Sequence, residues 1–185
     1  MPNENAVQQT LDELLSYRCP RYDQLPDLTL YSDQVVDALN QYTAPLRTSY
    51  SGPLITPTMI NNYVKQKLID PPVKRRYNRD QIAHLYAICV LKQVFSISEI
   101  AGLLEVQKHS YPFPVAYNYF CTELELAIQA TFSSRDFSAP SSASLVTAES
   151  ELVRSSAITF AHKLFTAKFL QLYDFPQTMQ PHQLT

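Results

Sequence analysis

Glycine is nearly absent from this chain: its 185 residues include only Gly52 and Gly102. Two glycines cannot build a phosphate-cradling loop, and neither GxSxG nor HExxH occurs, which removes the familiar nucleotide-binding, serine-hydrolase and zinc-protease signatures. Cysteine is also scarce. Cys19, Cys89 and Cys121 are odd in number and lack CxxC or Cys/His spacing, so they are read as reduced thiols and not as a disulfide framework or a zinc site. His84, His109, His162 and His182 are equally dispersed. No apolar run reaches the roughly 18 residues a membrane span needs. The opening MPNENAVQQTLDELL has no basic stretch followed by an apolar one. These absences lead us to expect a cytoplasmic protein without catalytic residues, cofactor, metal or membrane contact.

What is present points to helices. Hydrophobic residues make up 45% of the chain, enough for a core, and 13 prolines against two glycines describe a mainly α protein whose joints are punctuated by proline. Twelve tyrosines and nine phenylalanines supply large packing groups. Val7, Leu11, Leu14 and Leu15 predict a helix from Asn5 to Tyr17, followed by an extended strap broken at Pro20 and Pro26. A second helix is predicted from Ser32, as its cap, to about Tyr42, with Val35, Val36 and Leu39 inward. Residues 46–54 read as a loop.

Thr56 and Pro57 form a strong helix start, because the threonine oxygen can accept an orphan amide and a proline at the first helical position loses no needed donor. This helix is expected to run to about Lys67. Met59, Ile60, Tyr63 and Val64 fall on one face, and Thr58, Asn61, Asn62 and Lys65 on the other. The second face has no large apolar group, and its amides and ammonium have the donors and acceptors to read base edges. Next, LIDPPVKRRY joins a Pro71-Pro72 pair, which forbids helix, to Lys74, Arg75 and Arg76, and reads as a stiff basic wing. Asn78 caps a further helix with Ile82, Leu85, Ile88, Leu91 and Val94 or Phe95 inward, and Ser96 with Glu99 forms a capping box that opens a short one.

Charge is concentrated in the same stretch. Residues 56–104 hold seven basic residues, Lys65, Lys67, Lys74, Arg75, Arg76, Arg79 and Lys92, against Asp70, Asp80 and Glu99, a net of +4. The remainder holds eight basic against 14 acidic residues, a net of −6. A local positive field inside an acidic chain suits a phosphate-binding surface, though a solvated basic face would look the same by charge alone.

Beyond Leu104 a helix is predicted over about Val115 to Phe132, then a polar loop SSRDFSAPSSAS, and a long helix over about Leu145 to Tyr173. The second half of that helix, ITFAHKLFTAKFLQLY, is apolar on more than one face, so it is expected to be central to the fold or covered by another subunit. Residues 176–185 read as a loose tail. The aromatics after Tyr111 are more often core than ligand pocket, so a small-molecule effector stays open and unidentified.

INNYVKQKLIDPP, RRYNRDQI and LKQVFSISEIAGLL resemble the winged helix-turn-helix of MerR-type transcriptional regulators. TPTMINNYVKQKLI, PPVKRRYNRDQIAHL and the upstream CPRYDQLPDLTLYSDQV are similar still more closely to the DUF1836 proteins, a bacterial family of unknown function, over about Tyr17 to Leu104. The resemblance implies a MerR-like winged helix-turn-helix with additional N- and C-terminal helices. It divides the chain into an N-terminal helix and strap (1–30), a DNA-binding domain (31–108) and a helical C-terminal region (109–185). It also implies a regulator that binds double-stranded DNA as a homodimer.

By position, Thr58, Asn61, Asn62 and Lys65 face the groove, Tyr63 packs inward, Arg75 touches phosphate, and Tyr77 serves as a hinge or phosphate contact. Lys74, Arg76 and Arg79 complete the candidate DNA-binding set. The loop from Ala44 to Ile55 is longer than a usual helix-turn-helix turn, so the first helix either reaches its place by a detour or the motif serves another surface. The alternative expectation is a protein-interaction module that keeps the winged scaffold without binding DNA.

Overall fold

Most of the helices start where a side chain can satisfy one of their first free amides, and the long-range contacts then decide which helix is central. The computed structural model describes residues 3–49, 51–135 and 140–173; the expected tail at 176–185 and His182 lie outside them. Seven α-helices and one two-stranded antiparallel sheet are present among the described residues. In chain order they are α1 (Glu4–Ser16), β1 (Leu30–Tyr31), α2 (Ser32–Tyr42), α3 (Pro57–Lys65), β2 (Arg76–Tyr77), α4 (Arg79–Leu91), α5 (Ile97–Ser110), α6 (Phe113–Gln129) and α7 (Ala148–Gln171). A π-helical turn, Ala130–Ser134, continues α6. None of these helices is long and apolar enough to cross a membrane.

The predicted caps account for several boundaries. Thr56 Oγ1 accepts the Met59 amide at 3.2 Å. Asn78 Oδ1 accepts the Gln81 amide at 3.0 Å while Gln81 Oε1 accepts the Asn78 amide at 2.8 Å. Ser96 Oγ accepts the Glu99 amide at 3.3 Å, and the Glu99 carboxylate accepts the Ser96 amide at 2.7 Å. The Ser96 hydroxyl also donates to that carboxylate at 2.7 Å, and this bond, with the one from the Ser96 amide, holds the Glu99 carboxyl below its ordinary range. At α2 the cap differs from the expectation: Ser32 is the first helical residue, and the Gln34 side chain accepts the Tyr31 amide at 3.0 Å. The helix opened by Ser96 is also not short, since α5 runs 14 residues to Ser110.

The central helix is α4. Ile82, Ala83, Leu85, Tyr86, Ile88, Cys89 and Val90 are all buried, so it is covered over most of its circumference, the face of Asp80, His84 and Ala87 excepted, and not only along the stripe its spacing suggested. One continuous buried cluster joins Leu14 of α1, Leu39 of α2, Ile60 of α3, Ile100 of α5, Leu124 of α6 and Phe160 of α7 to it. The strap of residues 17–29 crosses this core and is tied down along its length. Tyr17 and Tyr86 share a buried hydroxyl–hydroxyl bond, Tyr117 Oη donates to the Pro20 carbonyl at 2.9 Å, and the Cys19 amide donates to Glu125 at 2.7 Å. The long helix α7 lies against α6, burying Ala157, Phe160, Ala161 and Leu164, and its half-buried Phe165 and Phe169 pack on Phe132. Cys19, Cys89 and Cys121 are free and buried.

The two glycines are not where the backbone needs them. Neither has a positive φ, whereas Lys67, Lys74, Arg75 and Arg135 do. Gly102 lies inside α5 with open space where a Cβ would stand. Gly102→Ala is therefore expected to stabilise the protein by about 0.5–1 kcal/mol, since glycine in a helix interior loses more backbone freedom than alanine. Chemical denaturation of the two proteins checks this, and an unchanged or lower midpoint at equal slope would refute it.

Candidate nucleic-acid interface

Helix α3 presents the polar face that its sequence suggested. Thr58, Asn61, Asn62 and Lys65 are all exposed, while Ile60 and Tyr63 are buried on the opposite side and Met59 and Val64 are half-buried. Burial pushes the Tyr63 phenol up to about 12, so this ring packs as a neutral group. The helix ends in a Schellman arrangement: the Leu68 amide reaches back to the Tyr63 carbonyl at 2.9 Å and the Lys67 amide to Val64 at 3.0 Å. Lys67, at φ 59°, occupies the left-handed position where glycine is usual. Leu68 and Ile69 are then buried, which anchors the next segment to the core.

That segment is a hairpin. Val73 and Arg76 exchange two backbone hydrogen bonds, at 3.1 and 2.9 Å, around Lys74 at φ 50° and Arg75 at φ 64°. Two consecutive positive φ values define a type I′ two-residue turn, whose preferred occupants are asparagine and glycine because longer side chains crowd the backbone there. This chain places a lysine and an arginine at those two positions, and both are exposed. The hairpin continues into β2, which pairs with β1 in the register Leu30 with Tyr77 and Tyr31 with Arg76. Arg76 lies over the Tyr31 ring at 4.6 Å and donates to the Tyr31 hydroxyl at 3.1 Å, so its guanidinium is held by stacking and a hydrogen bond together.

Two of the nine expected contact residues are placed differently. Tyr77 is only 3% exposed and belongs to the buried cluster, so its ring anchors the base of the hairpin instead of standing on the surface. Its phenol is raised by burial. Arg79 is partly buried, paired with Asp27 at 3.0 Å and set over the Tyr22 ring at 5.5 Å, so part of its charge is already satisfied. The other seven, Thr58, Asn61, Asn62, Lys65, Lys74, Arg75 and Arg76, are exposed on α3 and the hairpin that follows it.

Sequence reasoning missed two positioning residues. Gln81 is buried, and besides capping α4 its Nε2 donates to the carbonyls of Asp70 and Pro71 at 2.8 and 3.2 Å, fastening the entry to the hairpin. Tyr31 supports Arg76 as described. A glutamine three residues after an asparagine signals the cap, but the reach to Asp70 and Pro71 has no sequence signature.

The long 43–55 connection is tied to the core among its described residues. It contains a 3-10 turn at Ala44–Leu46, buries Leu46, Leu54 and Ile55, and is held by Arg47 to Asn40 and by Gln171 to Ser49. Helices α2 and α3 still pack on each other. Lys92, at the end of α4, is half-buried, donates to the Met59 sulfur at 3.4 Å and is lowered by desolvation. No group of three or more His, Cys, Asp or Glu side chains is arranged to hold a metal among the described residues.

The fold and this surface define a mainly helical protein with an exposed polar helix face beside a basic hairpin. A family model described as a domain of unknown function, DUF1836, matches residues 20–120, and the chain belongs to that family. The match covers the strap, α2, α3, the hairpin, α4, α5 and the first part of α6. No curated protein and no solved structure matches the chain.

Proposed function

We propose that this protein is a DNA-binding transcriptional regulator that acts without catalysis, reading a duplex with α3 and holding its backbone with the 73–76 hairpin. The observation that carries the reading is the pair of cations at the left-handed hairpin tip. Each non-glycine residue in that conformation costs on the order of 1 kcal/mol, and a backbone outlier in this position is best understood as a site where side-chain function outweighs backbone ease. The order of β1, α2, α3, hairpin, α4 and α5 supports a MerR-like winged helix-turn-helix, with the seven exposed residues on α3 and the hairpin as its contact set. Arg75 and Lys74 would bind phosphate, and Asn61 and Asn62 would meet base edges. Two copies would present their recognition helices to a two-fold site.

The test separates stability from binding. Lys74→Asn with Arg75→Gly gives the hairpin its preferred turn residues, so it is expected to raise stability by about 1 kcal/mol. The same change is expected to weaken binding to every duplex and to reduce the slope of log affinity against log salt by about two per bound copy, about one per lost phosphate contact and so about four for a pair of copies. Denaturation and fluorescence anisotropy at several salt concentrations measure the two effects. A more stable variant with unchanged duplex affinity would overturn the hairpin's role.

A protein-interaction role for the same region has one observation in its favour. Val73 on the hairpin, Tyr31 on its partner strand β1 and Leu28 in the strap just before that strand are exposed. Capture of a partner that ignores salt, with no salt-sensitive duplex binding, would favour that reading.

A further inference from the structure

A cavity of about 290 Å³ lies between α5, α6 and α7, near the lower end of the range for small-molecule sites. It reaches Ala87 and Leu91 of α4 and Leu103 and Leu104 of α5, and Phe113, Ala116, Phe120 and Val153 are among the residues that wall it. The remaining side is the 142–145 loop. Glu123, buried on α6, fixes that loop by accepting the Ser142 amide at 2.8 Å and the Ser142 hydroxyl.

The rim is apolar and wet. Val106, Tyr111, Val115, Leu145 and Leu152 all border this cavity and are all exposed, Val115 to 57% and Leu145 to 70%. Singly exposed apolar side chains are ordinary on a surface, but their collection around one recess marks a binding site.

The polar groups of the lining are largely occupied. Tyr119 donates to the Ser150 carbonyl at 3.3 Å, Ser150 to Thr147 at 2.9 Å, Ser156 to Leu152 at 2.8 Å and Gln107 to Tyr111 at 3.1 Å. Among the described residues no lysine or arginine lines the cavity, and the one carboxylate that does, Glu149, lies in the exposed first turn of α7. An anionic ligand would therefore meet no cation and would face a like charge. A second copy of the chain would have to insert a protrusion deep enough to reach α4, whereas a small molecule fills the recess directly.

We infer that this cavity binds an uncharged, predominantly apolar small organic molecule, aryl or alkyl. The inference does not depend on DNA binding. Because the recess reaches α4 and α5 as well as α7, an occupant would brace α7 against the helices that follow the basic hairpin.

The test uses the full chain and two dyes with the same anilinonaphthalene ring system, neutral N-phenyl-1-naphthylamine and its anionic relative 1-anilinonaphthalene-8-sulfonate. The neutral dye is expected to give saturable one-site fluorescence enhancement and to raise the melting temperature, and the sulfonate to bind at least about tenfold more weakly. Ala116→Trp fills the recess from a half-buried position. Leu152→Asp puts a charge on its wall from an exposed one. Each is expected to weaken the neutral dye at least about tenfold, with folding checked by circular dichroism, and if one variant fails to fold the other decides. Non-saturable binding, equal affinity for the two dyes, or indifference to the folded variants would overturn the inference. So would sedimentation showing a dimer that these changes dissociate while the neutral dye fails to bind the unaltered chain, since the recess would then be a subunit contact.

Discussion

Replacing Asn61 or Asn62 by alanine is expected to cost about 1–3 kcal/mol at the preferred duplex and little on unrelated duplexes. Both side chains are exposed on α3, and the buried face of that helix is carried by Ile60 and Tyr63. The substitutions therefore remove no core contact, and alanine favours helix more than asparagine does. Folding stability should hold or rise slightly while discrimination falls. An amide can pair bidentately with an adenine edge, so the loss should appear at one or two positions of the site, in contrast to the uniform loss expected from the hairpin change. The measurement is selection from a random duplex pool at moderate salt, for the natural chain beside the double variant. An enriched site that disappears in the variant, and that is palindromic, would support base reading by two copies. Equal losses on all sequences would remove the base-reading role of α3.

Phe160→Ala is expected to destabilise the whole chain by about 3–5 kcal/mol. Phe160 is 1% exposed on α7, in the same continuous cluster that holds α4 and the inner face of α3. Truncation leaves a cavity whose walls come from several helices, and it cannot be relieved by moving one of them. Leu14 of α1 shares that cluster, and Glu13 beside it reaches Lys168 of α7 at 3.9 Å. The loss is therefore expected in a single cooperative transition seen alike by circular dichroism and tyrosine fluorescence. Two separated transitions, with the DNA-binding part unaffected by the substitution, would mean that the C-terminal helices fold as an independent unit.

Much of the local structure was legible from residue types alone. The caps at Thr56, Asn78 and Ser96 are formed by side-chain oxygens within three residues of the amides they accept, so they are written in adjacent letters. The polar face of α3 follows from spacings of three and four, which any α-helix turns into one side. The departure from helix at Pro71-Pro72 and the run of cations after it were equally visible. Some boundaries were not legible. Val35 and Leu39 turn α2 inward as expected, but the cap comes from Gln34 and not from Ser32. The helix opened by Ser96 looked short because its periodicity fades after Leu104, yet α5 continues to Ser110. The expectation for α7, central or covered, followed from its apolar faces, but the helix with the most continuous burial is α4.

By itself the sequence determined the mainly α character, most helix starts, the polar face of Thr58, Asn61, Asn62 and Lys65, and the concentration of positive charge between residues 56 and 104, because these depend on side-chain chemistry and on separations of a few residues. Only the tertiary structure decided that Tyr77 is an anchor and not a surface contact, that Arg79 is shared with Asp27, that Gln81 clamps the hairpin entry, and that Lys74 and Arg75 occupy its left-handed tip. It also created the apolar cavity between α5, α6 and α7. Apart from the local turn at Lys74 and Arg75, each of these arises where separate segments of the chain meet, and the choice among their packings is made by burial of the whole core.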